Sequence, residues 1–370
     1  NGHLYQLNKA REISGADAVV CIMSGNFVQR GEAAIMEKHV RAQHAVTAGA
    51  DVVLELPTPF ATATAELFAK GAIHLLSSIP AIQTLCFGAE TAQKTTFLLA
   101  AKYLNDEPAE VSEKIKQIVQ SGQSYAKARA QAFAGFIPFD LLTSPNNILG
   151  VEYTKAILAK GANIDILPIQ RMGADYSDKA VKTNFSSASA IREQLANAEV
   201  LQSNLPPYVL KDLPLTAENN LELLEKHAIL SRSLEDIARV CDCTEGLENA
   251  FKNAALSPAS FTQTLTSARY TASRIRRIAL QNLLHIDKKL IFDGLNNPLY
   301  LRVLACKKER NDVLSALSES KLPLLIRAHD EDTLSNEAKA CYLADVYAEE
   351  IYQLLYPLSS SATKTHAVFI

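Results

Sequence analysis

The stretch NGHLYQLNKAREISGADAVVCIM, residues 1–23, decides the fold. Its second half, Asp17 to Met23, is a run of apolar and β-branched residues with the pattern of a buried strand. Its first half predicts a helix opening at Gly2-His3, with Leu4, Leu7 and Ala10 as a modest apolar stripe and Gly15 just past the end. A helix feeding directly into such a strand is half of a βαβ unit, and the strand that should precede it is not in the sequence. Position 1 is Asn rather than Met, so the expectation is a chain that starts inside a larger reading frame, its first strand missing. Glycine beside histidine at a helix start suits nucleotide phosphates. Glycine lets the backbone approach closely, the helix end offers unpaired N–H donors, and histidine adds a donor that can follow charge onto a leaving phosphate. Taken alone, such a pair is more often ordinary helix-start chemistry than a site.

Outward from this stretch, residues 1–200 alternate strand and helix. The loop Ser24 to Ala34 (SGNFVQRGEAA) leads to a helix over Met36–Ala48, then to a strand Asp51–Leu56 stopped by Pro57 and Pro59. A helix over Ala63–Ser77 precedes a strand at Thr84–Phe87, which ends in Gly88-Ala89-Glu90. Residues 92–134 read as mostly helical, an insertion or a cap over the crevice. Ser144-Pro145-Asn146-Asn147 precedes a helix from Leu149 to Lys160, and Asn163–Ile169 reads as a further strand leaving into Gln170-Arg171-Met172. Repeated β-loop-α units predict a Rossmann-like parallel sheet with helices on both faces, and ligands at the carboxyl ends of its strands. Beyond about residue 205 strands give way to helices, with Leu299–Ala305 and Leu322–Ala328 undecided between strand and helix. The predicted organisation is an α/β domain over 1–205 and a mainly helical domain over 206–370.

At 370 residues, 48% of them hydrophobic and 21% charged, the chain can bury a large core and has the composition of a soluble globular protein. A net charge of −3 excludes a global basic field, so any nucleic-acid site must be a local patch. The six cysteines have no framework spacing, and Cys241-Asp242-Cys243 lacks both the spacer and the second ligand pair of a zinc site, so no metal ligand is assigned. There is no run of 18 apolar residues and no signal peptide, and the expected location is the cytosol.

The polar clusters fall where the crevice rule wants them. Ser24, Gln29 and Arg30 lie in the loop after the first strand, where two glycines permit close backbone approach and Arg30 can hold phosphate or carboxylate. Ser186 and Ser187 at a helix start, followed by Arg192, can offer hydroxyls, N–H groups and a guanidinium to a triphosphate, although an N-cap alone would look the same.

Asn-Gly-His, SGNFVQRGEAA, ADVVLELP, CFGAE, SPNNILGVEY, PIQRMGADY, SSASAIR, TEGLENAFKNAA and RYTASRIRRIALQNLL occur here in an order that resembles one family, the bacterial tRNA(Met) cytidine acetate ligases. The resemblance covers essentially the whole chain. It implies a fold similar to adenylyltransferases that carry a His-x-Gly-His signature. It also implies activation of acetate by ATP to acetyl-adenylate, then acetyl transfer to N4 of the wobble cytidine of elongator tRNA(Met). On that resemblance Asn1, Gly2 and His3 are the last three positions of the signature, with His3 the catalytic donor. Gly88, Asn147, Arg171 and Met172 match ATP-contacting positions, and Ser186, Ser187 and Arg192 match the second phosphate-binding signature. ATP is expected to bring Mg²⁺ with it. The acetate pocket is expected in the loop Ser24–Gln29. The alternatives are a small-molecule adenylyltransferase of the same fold and a non-catalytic tRNA-binding protein.

For RNA, Arg269, Arg274, Arg276 and Arg277 form a basic stretch with no acid between Glu248 and Asp287, and Lys307, Lys308 and Arg310 form a second. A charge run is ordinarily a solvated face; the local lack of acids favours phosphate contacts instead. The expectation is that this helix serves tRNA and leaves acetate activation alone.

Overall fold

Strand Val52–Leu56 is buried at all five positions, and the rest of the molecule assembles around it. The computed structural model describes residues 2–172, 188–195, 197–214, 220–327, 330–356 and 366–370. Helix α1 (Gly2–Ser14) ends where Gly15, at φ +64°, donates its N–H to the Arg11 carbonyl, the left-handed stop that glycine makes at little cost. Strand β1 (Val20–Ser24) follows, then a small antiparallel hairpin, β2 (Phe27–Val28) and β3 (Glu32–Ala33), and helix α2 (Lys38–Thr47). Then come β4 (Val52–Leu56), α3 (Ala65–Leu76), β5 (Thr84–Ala89), α4 (Lys94–Asn105), α5 (Pro145–Lys160) and β6 (Asp165–Gln170). Each lies within a few residues of its expected bounds.

β1 and β4 pair in parallel, Val20 against Val52 through Ser24 against Leu56, and β5 pairs in parallel with β6. Among the described residues no ladder joins the two pairs, but Ile22 of β1 packs against the hydrophobic clusters of both. The predicted insertion does not close over the crevice as a lid. α4 packs along α5, and helices Ala109–Gln120 and Tyr125–Ala132 add Val111, Ile115 and Ala128 to the core that also holds Phe97 of α4, Phe87 of β5 and Ile166 of β6. α5 approaches so closely that a Cβ on Gly150 would overlap Phe87 of β5 and lie 2.7 Å from Phe97 of α4.

The division at residue 205 does not describe the packing. Helices α6 (Leu221–Ser231) and α7 (Ala272–Leu283) do belong to a helical region. The chain then returns to the sheet. β7 (Leu301–Cys306), fully buried, lies antiparallel to β4, with β8 (Leu324–Leu325) parallel to its first residues. Helix α8 (Asn336–Leu355) covers this region, and β9 (Val368–Phe369) pairs in parallel with the last residues of β7. The undecided run 299–305 is therefore strand, and it turns a parallel sheet into a mixed one. Its apolar sequence was compatible with either state; β4's free edge selects the strand.

One polar group of interactions lies inside this core. Lys38, at zero exposure, meets Glu55 of β4 at 2.8 Å and also Glu349 of α8. Arg302 of β7 reaches Glu349 at 3.0 Å and Glu55 at 3.3 Å. Beside them Asp345 accepts from the Thr58 N–H at 2.6 Å and pairs with the Tyr300 hydroxyl at 2.5 Å. Burial, then the Arg302 charge, lowers the Lys38 pKa to about 8, so it stays protonated at neutral pH. Burial, then the Glu55 charge, lifts Asp345 from 3.8 to about 6. The sign follows directly. Below pH 3.8 both native and unfolded chains hold this proton, and above about 6 neither does. Between those values only the native chain keeps it, so stability falls as pH rises, by about 1.4 kcal/mol per unit at most. Asp345→Asn retains a carbonyl acceptor for Thr58 and cannot titrate. Urea melts of wild type and variant at pH 4, 5, 6 and 7 should show wild type losing stability relative to the variant from pH 4 to 6, then running parallel.

Candidate active site

The carboxyl ends of β5 and β6 lie side by side, Gly88 opposite Ile169 and Ala89 opposite Gln170, and the Arg171 N–H extends the ladder to the Ala89 carbonyl at 2.9 Å. A Cβ on Gly88 would sit 3.4 Å from both the Arg171 side chain and the Gln6 amide oxygen of α1. The bare backbone of Gly88 thus forms a shallow floor between a helix and an arginine. α1 packs on both strands, and His3 at its start is close enough to Arg171 to feel its charge. Desolvation first, and with it the positive charge of Arg171, holds the imidazole below the usual histidine range. A neutral His3 with an N–H to donate is the state expected at pH 7.

The wall opposite is built by an exchange of bonds between Glu90 and the start of α5. Glu90 accepts from the Asn147 N–H at 2.8 Å and from the Asn146 side chain at 2.6 Å, taking the place that Ser144, which makes no side-chain cap, leaves open. In return Asn147, fully buried, accepts from the N–H groups of Glu90 (2.9 Å) and Thr91 (3.1 Å) and donates to the Asp140 carbonyl. Gln170 donates to the Glu90 carbonyl at 2.8 Å, and Arg171 reaches the Asn146 amide oxygen at 3.4 Å. The α5 N-terminus thus holds the Glu90 carboxylate. The Asn147 amide is spent on the 90–91 turn, so it shapes the site through that turn.

The structure therefore brings together His3, Gly88, Asn147 and Arg171, with Met172 exposed at the rim. Asn1, Ser186 and Ser187 lie outside the described residues; Arg192 is half-buried in the short helix Ala188–Glu193. Among the described residues there is no group of three His, Cys, Asp or Glu that could hold a metal ion. No helix among them is long and apolar enough to cross a membrane.

Ser24, Gln29 and Arg30 occupy a separate loop at the end of β1. Arg41 takes the carbonyls of Ser24 (3.2 Å) and Gly25 (2.5 Å), and Asn26 accepts from the Lys38 N–H at 2.8 Å. Gly25 rests on the Glu55 carboxylate, where a Cβ would overlap it. The Gln29 amide nitrogen is shut from solvent with no hydrogen-bond partner among the described residues. Sequence reading missed Glu90's capping role, Gln6, Gln170 and Arg41. Glu90 stood within a quoted stretch, but nothing local says which helix a loop carboxylate will cap.

The basic helix is also different from its sequence. Arg274 donates to the Asp242 carbonyl (2.7 Å) and Thr244 (2.9 Å) and lies over the Tyr270 ring at 5.1 Å. Arg277 pairs with Asp242 at 3.2 Å and Arg269 with Glu245, while Arg276 bonds the Arg30 carbonyl at 3.2 Å and faces Glu32 at 3.4 Å. Acids absent from the local sequence are supplied by neighbouring segments. Lys307 leaves the end of β7 that pairs with Val52, where the parallel strands begin, away from their carboxyl ends. Arg310 is committed to Asp51 and Asp312.

Asn147→Ala strands the half-buried N–H groups of Glu90 and Thr91. The expected loss is about 1–3 kcal/mol for each group left unsatisfied, read from the urea midpoint, with the turn beside Gly88 loosened.

A family model described as HIGH Nucleotidyl Transferase matches residues 1–367. The tRNA(Met) cytidine acetate ligase of Thermoanaerobacter sp. (strain X514) is 35% identical over 98% of this chain and 94% of its own length. That of Acetivibrio thermocellus is 34% identical over 89% of this chain and 86% of its own. Crystal structures of Thermotoga maritima TmcAL cover 100% of this chain and 96% of theirs. The apo form has a TM-score of 0.92 at 29% identity, and the form bound with alpha-thio ATP 0.88 at 28%.

Proposed function

We propose that this chain, which belongs to the HIGH nucleotidyl transferase family, is a tRNA(Met) cytidine acetate ligase. It activates acetate with ATP and passes the acetyl group to N4 of the wobble cytidine of elongator tRNA(Met). The observation that carries this reading is the meeting of His3, Gly88 and Arg171 at the carboxyl ends of two parallel strands. Relatives bearing that name, alike over nearly their whole lengths, support it, as does a neighbour bound to an ATP analogue.

The chemistry asks little covalent help of the protein. An acetate oxygen attacks the α-phosphorus, the bond from phosphorus to the bridging oxygen breaks, and pyrophosphate leaves with the electron pair. Positioning and donors aimed at the developing charge supply most of the catalysis. Gly88 admits the nucleotide against bare backbone, Arg171 offers a fixed guanidinium to phosphate, and neutral His3 donates toward the departing pyrophosphate. In the second half-reaction N4 of cytidine attacks the acetyl carbon, AMP leaves with the carbonyl-side electron pair, and N4 gives up a proton.

Acetate-dependent exchange of labelled pyrophosphate into ATP, run without tRNA, tests the reading. Exchange that needs acetate supports the ligase; exchange with another acid or alcohol in its place supports a small-molecule adenylyltransferase, and no exchange supports a tRNA-binding role alone. His3→Ala in the full-length protein should slow exchange roughly a hundredfold or more, the effect of losing one donor to developing charge.

For tRNA, the proposal retains the outer arginines. Arg269 and Arg274 lie about the Tyr270 ring, where a guanidinium and an aromatic face can meet phosphate and an unstacked base. Changing both to Ala should flatten the salt dependence of tRNA binding by about one unit of log–log slope for each phosphate no longer neutralised. Filter binding across a salt series measures it, and an unaltered slope returns these arginines to a structural role.

A further inference from the structure

The loop from β1 to α2 is fixed at its base and held at its tip by a different part of the chain. At the base, Arg41 holds the Ser24 and Gly25 carbonyls, and Asn26 bonds both the Lys38 and the Ala34 N–H groups. Tyr352 of α8 donates to the Ala34 carbonyl at 2.8 Å and packs its ring edge-on to Phe27. At the tip, Gly31 has φ +73° and lies directly on α7, where a Cβ would come within 2.5 Å of the peptide between Arg276 and Arg277. Arg276 clasps this tip from both sides, donating to the Arg30 carbonyl and facing the Glu32 carboxylate. Gln29, between the two anchors, carries a buried amide nitrogen that finds no acceptor in the described protein. A buried donor left unmade is costly, and the carboxylate of a small acid is the kind of acceptor that would satisfy it.

We propose that Arg276 is a positioning residue for acid activation: by clasping the hairpin tip it holds Gln29 and Arg30 where the acetate carboxylate binds. This rests on the ligase reading above and assigns to α7 a part in the first half-reaction, in which tRNA takes no part. The interaction is short-range and directional, so its loss moves the tip and leaves the Gly88–Arg171 floor alone. KM for acetate should therefore change while KM for ATP does not.

The test is acetate-dependent pyrophosphate exchange without tRNA on full-length protein, with thermal melts of every variant. Wild-type exchange establishes the reading on which the proposal depends; its absence removes that reading, whatever the variants do. Given exchange, Arg276→Ala and Gly31→Ala should each raise KM for acetate about tenfold or more, as small misplacements of a binding group do, with KM for ATP within about twofold. Gly31→Ala changes no charge, so its effect cannot be electrostatic. Arg276→Lys, which can still donate to the Arg30 carbonyl, should fall between. If Arg276→Ala does not fold, Glu32→Gln on the half-exposed hairpin decides, with a smaller rise for acetate alone. An unchanged acetate KM in folded variants overturns the proposal. So does an equal rise for ATP and acetate, which would mark a general loosening.

Discussion

Five charged side chains from four elements meet in the interior: Lys38 of α2, Glu55 of β4, Arg302 of β7, and Asp345 with Glu349 of α8. Removing such groups from water costs several kcal/mol each, and well-packed apolar residues would often give a more stable core. What the cluster supplies is definition. An apolar contact between α8 and β4 tolerates sliding, whereas a carboxylate set against a lysine and an arginine has one acceptable place. The same lysine's N–H fixes Asn26 and the same Glu55 carboxylate supports Gly25, so the loop at the end of β1 inherits its position from the cluster. A polar core here connects the last long helix to the loop that follows β1.

Much of the α/β architecture was legible because each element carries its own signal. DVVLEL is strand by composition, and α1 is closed by a glycine that only a left-handed position needs. His3 could be proposed because it stands at a helix start; Gly88 and Arg171 stand at strand ends, but their roles came from the family resemblance. The boundary at 205 failed for the opposite reason. LRVLAC is apolar whether it forms a strand or a helix, and its partner lies far away in sequence. The surroundings of the basic helix were hidden in the same way: the absence of acids between Glu248 and Asp287 says nothing about Asp242, Glu245 and Glu32, which arrive by folding. Charge patterning along a chain describes a neighbourhood only when the neighbours are local.

The two groups of candidate residues are thus supported by different means. The Gly88–Arg171 floor depends on strand register and on the reciprocal bonds of Glu90 and Asn147, an arrangement within residues 84–171 onto which α1 brings His3. The Ser24–Gly31 loop depends on contacts from α2, α7 and α8, the last of them made by Tyr352 to Phe27 from more than three hundred residues away. A protein that joins a nucleotide to a second substrate can in this way alter one support without disturbing the other. Substitutions in the helical region would reach one ligand, and those in the α4–α5 core the other.

The pairing of β4 with β7 also has a bearing on how the protein is made. Roughly 250 residues separate these strands, and synthesis at ~5–20 residues per second leaves β4 waiting for tens of seconds. During that interval a strand of Val-Val-Leu-Glu-Leu presents an unpaired edge and two apolar faces, with Glu55 lacking Arg302 and Glu349. Such a segment invites pairing with a neighbouring nascent chain on the same polysome.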